Sequence, residues 1–325
     1  MPTLLAQIAP QRSTQYSALA TALAPHEMLL SPLGAHIQSH HVVTLGGQAY
    51  VQCILDVWPS ETDWRALAWP AMTSAFFEAR VTDEATWLRP INLPFTPVLP
   101  LDLMVTRRYK GKTNEVFTHF MLNIARHSSA FAHTAWSELR VLDPLSGGGT
   151  TLLAALVLGA SASGIEQSKD DVESTATFVA QYAREQAIAV DEREERLKKY
   201  GRRWQFHFRD TRQQLVLARG DTADCAELLS GIKRPQLIVT DLPYGIQHRG
   251  PLSDLLTQAL PVWMKLLLPG GALAMSWDST RFQRKEMTTL VASCGFSAMN
   301  NAPYDQLAHR VDRVIKQRDV VVVKA

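Results

Sequence analysis

"AHRVDRVIKQRDVVVVKA", residues 308–325, decides the fold. A run of four valines must be a buried strand, yet the residues before it leave no room for a crossover helix. Parallel neighbours need a crossover of a dozen or more residues, whereas a short return makes a hairpin. The segment therefore predicts an antiparallel strand in a sheet that is otherwise parallel. The chain ahead of it supplies that sheet. "RVLDPLS", "ASGIEQ", "WQFHFRD", "PQLIVTD" and "GALAMSWD" read as strands. "TTLLAALVLGA", "DDVESTATFVAQYAREQ", "DTADCAELLSGI", "PLSDLLTQALPVWMKLLL" and "RKEMTTLVASCG" read as the helices between them. Alternating β and α predicts an α/β sheet covered by helices on both faces.

The first hundred residues differ. "TLLAQIA" reads as a strand and "STQYSALATALA" as a helix opened by a Ser/Thr cap. "HHVVTL" and "QAYVQCILDV" flank Gly46–Gly47 and read as a hairpin. "ETDWRALAWPAMTSAFFEA" is expected to be helical with a break near Pro70. Four prolines in "RPINLPFTPVLPLD", residues 89–102, are linker chemistry. We expect a small α+β domain over 1–100 and the α/β domain over 101–325. A length of 325 residues, more than one core usually absorbs, fits two units. No internal repeat is visible.

Composition excludes more than it assigns. The chain is 46% hydrophobic and 20% charged, which is globular. Net charge is +2, but residues 1–103 carry 4 Lys/Arg against 8 Asp/Glu and the remainder 29 against 23. Positive charge thus gathers in the second part, where an anionic partner would be met. Cys53, Cys225 and Cys294 form no CxxC, so neither a disulfide framework nor a metal site is expected. No basic leader with a sustained apolar stretch opens the sequence, and no apolar window is long enough to span a bilayer. A cytoplasmic protein without membrane contact is the expectation.

Functional groups in such sheets gather at the carboxyl ends of the strands. "VLDPLSGGGTT", residues 141–151, runs from a strand through three glycines into a helix. It is neither GxGxxG nor a P-loop, and Asp143 would repel a phosphate, so a cationic or amine-bearing ligand suits it better. Glu166 ends the next strand and stands about 20 residues on, where a carboxylate can accept both ribose hydroxyls. Asp210 closes "FHFRD" and could reach an adenine amino group. Taken singly, each acid also reads as a turn, a helix cap or a solvated side chain.

Together these residues resemble class I S-adenosylmethionine-dependent methyltransferases, whose seven-stranded Rossmann-like sheet has an antiparallel last strand. The resemblance covers roughly residues 104–325. It implies that Asp143 with Ser146, Gly147, Gly149 and Thr150 holds the methionine part, Glu166 the ribose and Asp210 the adenine. "TDLPYG", residues 240–245, resembles the (Asp/Asn)-Pro-Pro-(Tyr/Phe) motif of enzymes in this group that methylate planar amines. Such an amine is a weak nucleophile because its lone pair is delocalised. By this likeness Asp241 accepts one N–H, a main-chain carbonyl of Leu242 or Pro243 accepts the other, and Tyr244 stacks on the ring. Asp241 would also border the cofactor.

Leucine at 242, where the family usually has proline, resembles the form found in THUMP-associated RNA guanosine methyltransferases. "RRYKGKTNEVFTHFMLNIA", residues 107–125, resembles the segment those enzymes place beside the cofactor. It implies contacts from Thr113 and Asn114 and positive charge from Arg107, Arg108, Lys110 and Lys112. The substrate implied is guanosine N2 in tRNA or another structured RNA. The hundred residues ahead are too few for a full THUMP module with its companion; a ferredoxin-like part alone, or an unrelated unit, would fit. DNA, protein or small-molecule amines remain open as substrates, as does a non-catalytic binding subunit. "AVDEREERLKKYGRRW", residues 189–204, is dense in both charges and is expected to extend a helix by Glu/Lys pairing. Lys198, Lys199, Arg202 and Arg203, with Tyr200 and Trp204, could meet RNA from it.

Overall fold

The computed structural model of the protein describes every residue except Arg12, Asp83, Glu84, Lys110, residues 244–248, residues 312–315 and Ala325. The amino-terminal part runs β1 (Thr3–Ile8), α1 (Thr14–Leu30), β2 (Ile37–Leu45), β3 (Gln48–Leu55), α2 (Glu61–Leu67), β4 (Thr73–Val81) and β5 (Thr86–Ile91). Its sheet is antiparallel in the order β2-β3-β1-β4-β5. The order β-α-β-β-α-β is the split βαβ, ferredoxin-like layout, with β5 added at one edge. Gly46 and Gly47 both take positive φ, 55° and 76°, as a two-residue hairpin turn requires. The helix expected over residues 61–79 stops at Leu67. Beyond Pro70, "TSAFFEARV" forms β4, because its aromatic residues fit between β1 and β5. Pro90 lies in edge strand β5, where its missing N–H breaks no ladder.

The second part opens with α3 (Leu103–Thr106) and α4 (Glu115–Ser128), then β6 (Arg140–Asp143), α5 (Thr150–Leu158), β7 (Ser161–Glu166) and α6 (Lys169–Glu185). A hairpin follows, β8 (Val190–Leu197) and β9 (Gly201–Phe208), leading into β10 (Gln214–Arg219) and α7 (Cys225–Leu228). The remainder is β11 (Leu237–Asp241), α8 (Arg249–Leu266), β12 (Ala272–Asp278), α9 (Arg284–Ser293), β13 (Ser297–Ala298), β14 (His309–Arg310) and β15 (Gln317–Lys324). The strands join in the order β13-β15-β12-β11-β6-β7-β10-β9-β8, and β14 also pairs β15. From β12 to β10 neighbours are parallel. β15 runs antiparallel between β12 and β13. The parallel core and the reversal of chain direction at β15 are as expected for a Rossmann-like sheet, but the sheet has ten strands rather than seven: β8, β9 and β14 are added to the expected set.

Two expectations about the middle of the chain are corrected. "WQFHF" is a strand, but it is the antiparallel β9, and the third parallel strand is β10. Residues 189–204 are not a helix extension. They form most of the β8–β9 hairpin, in which Glu194 meets Arg202 at 3.3 Å and Glu195 meets Arg203 at 2.7 Å across the strands. The charge pairs read as helical spacing are cross-strand pairs.

Helices cover both sheet faces. One apolar cluster contains α4, α5 and α6 side chains and continues into the amino-terminal sheet and α1 through Leu4, Leu23 and Phe76. The other holds α7, α8 and α9, with Trp263 and Trp277 fully buried. Buried α4 joins the two sheets. Glu27 of α1 accepts the Ala71 and Met72 amides at 2.8 and 2.7 Å and the Asn123 amide of α4 at 3.0 Å. Burial raises the Glu27 carboxyl above the ordinary range. Arg126 of α4 donates to the carbonyls of Ala66 and Thr134 and packs over Trp136.

Candidate active site

A cavity of about 560 Å³ opens at the carboxyl ends of β6, β7, β10 and β11. Strand order reverses at β6, which is where ligands of such sheets lodge. The glycine turn forms one wall. Gly147 and Gly149 have φ of 48° and 86°, and Gly149 donates to the Ser146 carbonyl at 2.7 Å. Gly148 is required by its neighbour: a Cβ there would lie 2.3 Å from the Tyr109 ring. The Tyr109 hydroxyl and Thr150 Oγ1 are 2.5 Å apart. The Arg107 guanidinium stands 4.9 Å from the Tyr109 ring centroid and donates to Ser174 Oγ at 2.8 Å. Thus residues 107–109 are clamped onto the glycine turn.

Asp143 ends β6 and is 3% exposed. Burial, with a smaller contribution from the charge of Asp241, pushes its carboxyl up to about 6. The Leu145 amide is a donor to it at 3.1 Å. Such a carboxyl is poised to take a cation, because an opposite charge would favour its ionised form. Glu166 ends β7 and accepts the Gly147 and Ser168 amides at 3.0 and 2.7 Å. Ser146, Gly147, Gly148, Thr150, Glu166 and Asp241 all border the cavity. Gly149 shapes the turn without bordering it.

Asp210 is elsewhere. It is exposed in the turn between β9 and β10, at the end of β10 remote from the cavity. Since β9 is antiparallel, its carboxyl end points away from the site. The acid at the carboxyl end of the third parallel strand is Asp221, which sequence reading missed. It borders the cavity, accepts the Ala223 amide at 2.8 Å and the Gln167 amide at 2.8 Å. The signal was present in "LVLARGD", an apolar run ending in Gly-Asp ahead of a helical turn.

Asp241, at the end of β11, is held from three sides. Thr113 Oγ1 donates to its Oδ2 at 2.7 Å and Ser276 Oγ to its Oδ1. Arg318 Nη2, from β15, stands 3.4 Å from Oδ2. The Arg318 guanidinium lies 4.4 Å from the Phe117 ring centroid and is nearly buried. The antiparallel strand that sets the fold thereby delivers a cation to the site. Leu242 is buried and its amide donates to the Ser276 carbonyl at 2.9 Å. A proline at 242 would forfeit that bond, which accounts for the leucine. Pro243 borders the cavity. Tyr244 lies outside the described residues.

Other site residues sit differently from expectation. Asn114 caps α4, accepting the Phe117 amide at 2.9 Å, and does not border the cavity. Arg107 is buried, and Lys112 is occupied by the Met104 and Val105 carbonyls and Glu115. Only Arg108 of the expected cations is exposed in that segment, Lys110 being outside the described residues. Among the described residues, no three of His, Cys, Asp and Glu converge as metal ligands, and no helix is long and apolar enough to cross a membrane.

No family model and no curated protein sequence matches the chain. Similar solved structures include TrmN from Thermus thermophilus, 15% identical over 100% of this chain and 99% of that one, with a TM-score of 0.47. The T. thermophilus 16S rRNA N2 G1207 methyltransferase RsmC, in complex with AdoMet and guanosine, is 14% identical over 90% and 59%, at 0.38. The ribosomal protein L11 methylase of Lactobacillus delbrueckii subsp. bulgaricus is 16% identical over 57% and 70%, at 0.36. At these identities and scores the likenesses assign this chain no activity.

Proposed function

We propose that this chain is an S-adenosylmethionine-dependent N-methyltransferase acting on an exocyclic amine, with guanosine N2 in tRNA or another structured RNA as substrate. The observation that carries the reading is the pairing of Asp143 and Asp241 in one cavity beneath the glycine turn. The donor set fits the cofactor. Asp143 is a buried carboxyl suited to a cation, Glu166 and Asp221 offer acceptors on adjoining strands, and the Gly147 position is open to close approach. When bound, S-adenosylmethionine supplies a methyl group on a positively charged sulfur.

The chain's own residues prepare the amine. Asp241 accepts one N–H, and the carbonyl of Leu242 or Pro243 accepts the other, turning the nitrogen lone pair toward the cofactor side. Thr113, Ser276 and Arg318 keep the carboxylate from rotating. Reacting atoms must stand about 3–3.5 Å apart and aligned, and such positioning can remove ~7–11 kcal/mol of barrier. By the likeness of "TDLPYG" to amine-methylating enzymes, Tyr244 supplies the stacking ring. The likeness of residues 107–125 and 240–245 to RNA guanosine enzymes supports RNA over other amines. In this reading residues 101–325 are the catalytic unit, residues 1–100 a separate small α+β domain, and the protein is cytoplasmic.

The test is incubation with methyl-tritiated S-adenosylmethionine and fractionated cellular RNA, followed by nucleoside analysis. Label in N2-methylguanosine is expected. Cofactor binding by calorimetry with no labelled nucleoside would exclude RNA and direct the search to DNA, protein or small amines.

A further inference from the structure

Three arginines stand side by side across the outer strands of the sheet. Arg196 of β8 is directly opposite Arg202 of β9, and Arg202 is directly opposite Arg219 of β10. Residues opposite one another in neighbouring strands present their side chains on the same face. The next member of this row is Glu166 of β7, opposite Arg219, which borders the cavity. The row therefore leads from the cavity to the sheet's edge, with adjoining strands about 4.8 Å apart.

Like charges directly opposite each other destabilise a sheet; acids stand near the row, Glu166 opposite Arg219 and Glu173, Glu192 and Glu194 around the hollow that Arg202 lines, yet few of them pair with it. Among the described residues, Arg196 and Arg219 form no ion pair, and Arg202 has only the half-exposed Glu194 at 3.3 Å. Asp191 lies toward the far end of β8, Glu192 shares a hollow with Arg202 without pairing with it, and Glu195 is taken by the buried Arg203. Beyond the row, the β8–β9 turn carries Lys198, Lys199 and Tyr200, all exposed. This turn is at the cavity's rim: a Cβ added to Gly220, which borders the cavity, would lie 3.1 Å from the Tyr200 carbonyl oxygen. Arg203 and Trp204, by contrast, are buried, and Arg203 ties the hairpin to the carbonyls of Leu228 and Ser230 at the end of α7.

We propose that the arginine row and the tip of this hairpin form the track that holds the phosphate backbone of the substrate RNA as it leaves the cavity. The proposal rests on the RNA methyltransferase reading and gives it a docking surface. Closely spaced cations in single file match a polyanion better than an isolated carboxylate, and Tyr200 adds a ring on which an unpaired base can stack. Each phosphate neutralised releases counterions, so affinity must fall steeply with salt.

The experiment compares the full-length protein with Arg196→Ala/Lys198→Ala/Lys199→Ala, using bulk tRNA binding by fluorescence anisotropy between 50 and 200 mM salt (roughly the range over which such contacts are lost). The variant should bind about tenfold more weakly at the lower salt, with the log–log salt slope shallower by about 2. Its S-adenosylmethionine affinity and melting temperature should match the unaltered protein. Arg65→Ala/Lys265→Ala/Lys285→Ala, which removes as many exposed cations from α2, α8 and α9, should retain the original slope. An unchanged slope in the hairpin variant, or an equal loss in both variants, would overturn the track. So would tight binding of duplex DNA with none of tRNA. If the unaltered protein binds S-adenosylmethionine but no RNA, the track is wrong while the methyl-donor site stands. Loss of cofactor binding in the unaltered protein would instead overturn the enzyme reading itself.

Discussion

Asp143 and Asp241 border one cavity in contrasting surroundings, one deeply buried beside the Thr151 and Thr240 hydroxyls and the other half-buried and held by two hydroxyls and a guanidinium. Burial keeps the Asp143 proton to about pH 6, above the ordinary aspartate value. Between roughly pH 4 and 6 the unfolded chain has lost this proton while the folded chain retains it. Stability without ligand therefore falls as pH rises through that window and is level above it. Asp143→Asn should melt a few degrees higher than the unaltered protein at pH 7.5 and at the same temperature near pH 4, as scanning calorimetry would reveal. A cationic ligand needs the ionised form, so S-adenosylmethionine affinity should drop about tenfold per unit below pH 6 and be weak at every pH in the Asn variant. For Asp241→Asn we expect methyl transfer to fall at least about 100-fold with cofactor affinity retained. Arg318→Met should lower kcat more than it raises KM, and Arg318→Lys should restore part of the rate. Asp143, Glu166 and Asp241 were legible because each closes an apolar run. Asp221 was overlooked because arginine and glycine separate it from the apolar run that marks its strand, and Arg318 and Ser276 carry no local sign that three strands bring them to Asp241.

The glycine turn and the segment 107–113 work as one element. Gly148→Ala alone must displace the Tyr109 ring, since its Cβ would lie within 2.6 Å of three ring carbons. About a tenfold loss of S-adenosylmethionine affinity is expected. Tyr109→Ala in the same chain should recover much of it, giving the non-additive pair that contacting residues show. Isothermal titration of the two single variants and the double variant measures this coupling. Equal, additive losses would mean that the ring does not rest on the turn. At this scale sequence reading was uneven. β6, β7, β11, β12 and β15 follow from their apolar runs, and the Gly46–Gly47 hairpin from its turn. The β8–β9 hairpin did not, because Glu, Lys and Arg favour helices intrinsically and only pairing with β10 selects the strand. The same competition turned "TSAFFEARV" into β4.

Across the whole molecule, the two sheets share one apolar cluster through α4. Glu27 sits in that seam, bonded to residues 44, 45 and 96 positions away in sequence. Glu27→Ala strands three buried amide donors, so a loss of about 2–4 kcal/mol is expected. Urea unfolding followed by tryptophan fluorescence and by circular dichroism should give coincident transitions, because the seam couples the sheets. Two separated transitions would show that they unfold independently. The proline-rich stretch at 89–102 suggested a division there, but no local pattern announces which helix will bury itself between sheets.

The larger sheet closes its two sides by opposite means. One side ends in β13, only two residues long, which offers almost nothing to copy. The other ends in β8, eight residues with an open row of main-chain donors and acceptors, guarded by alternating acids and bases. Such a border invites a strand from a neighbouring molecule unless repulsion forbids it. Strong electrolyte weakens that repulsion as well as any hold on phosphate. Concentrated protein in high salt should consequently self-associate edge to edge through β8, into closed pairs rather than filaments, because each molecule has one such border in this sheet. Stripping charge from β8 would hasten this, so solubility and nucleic-acid affinity are tied to the same few side chains.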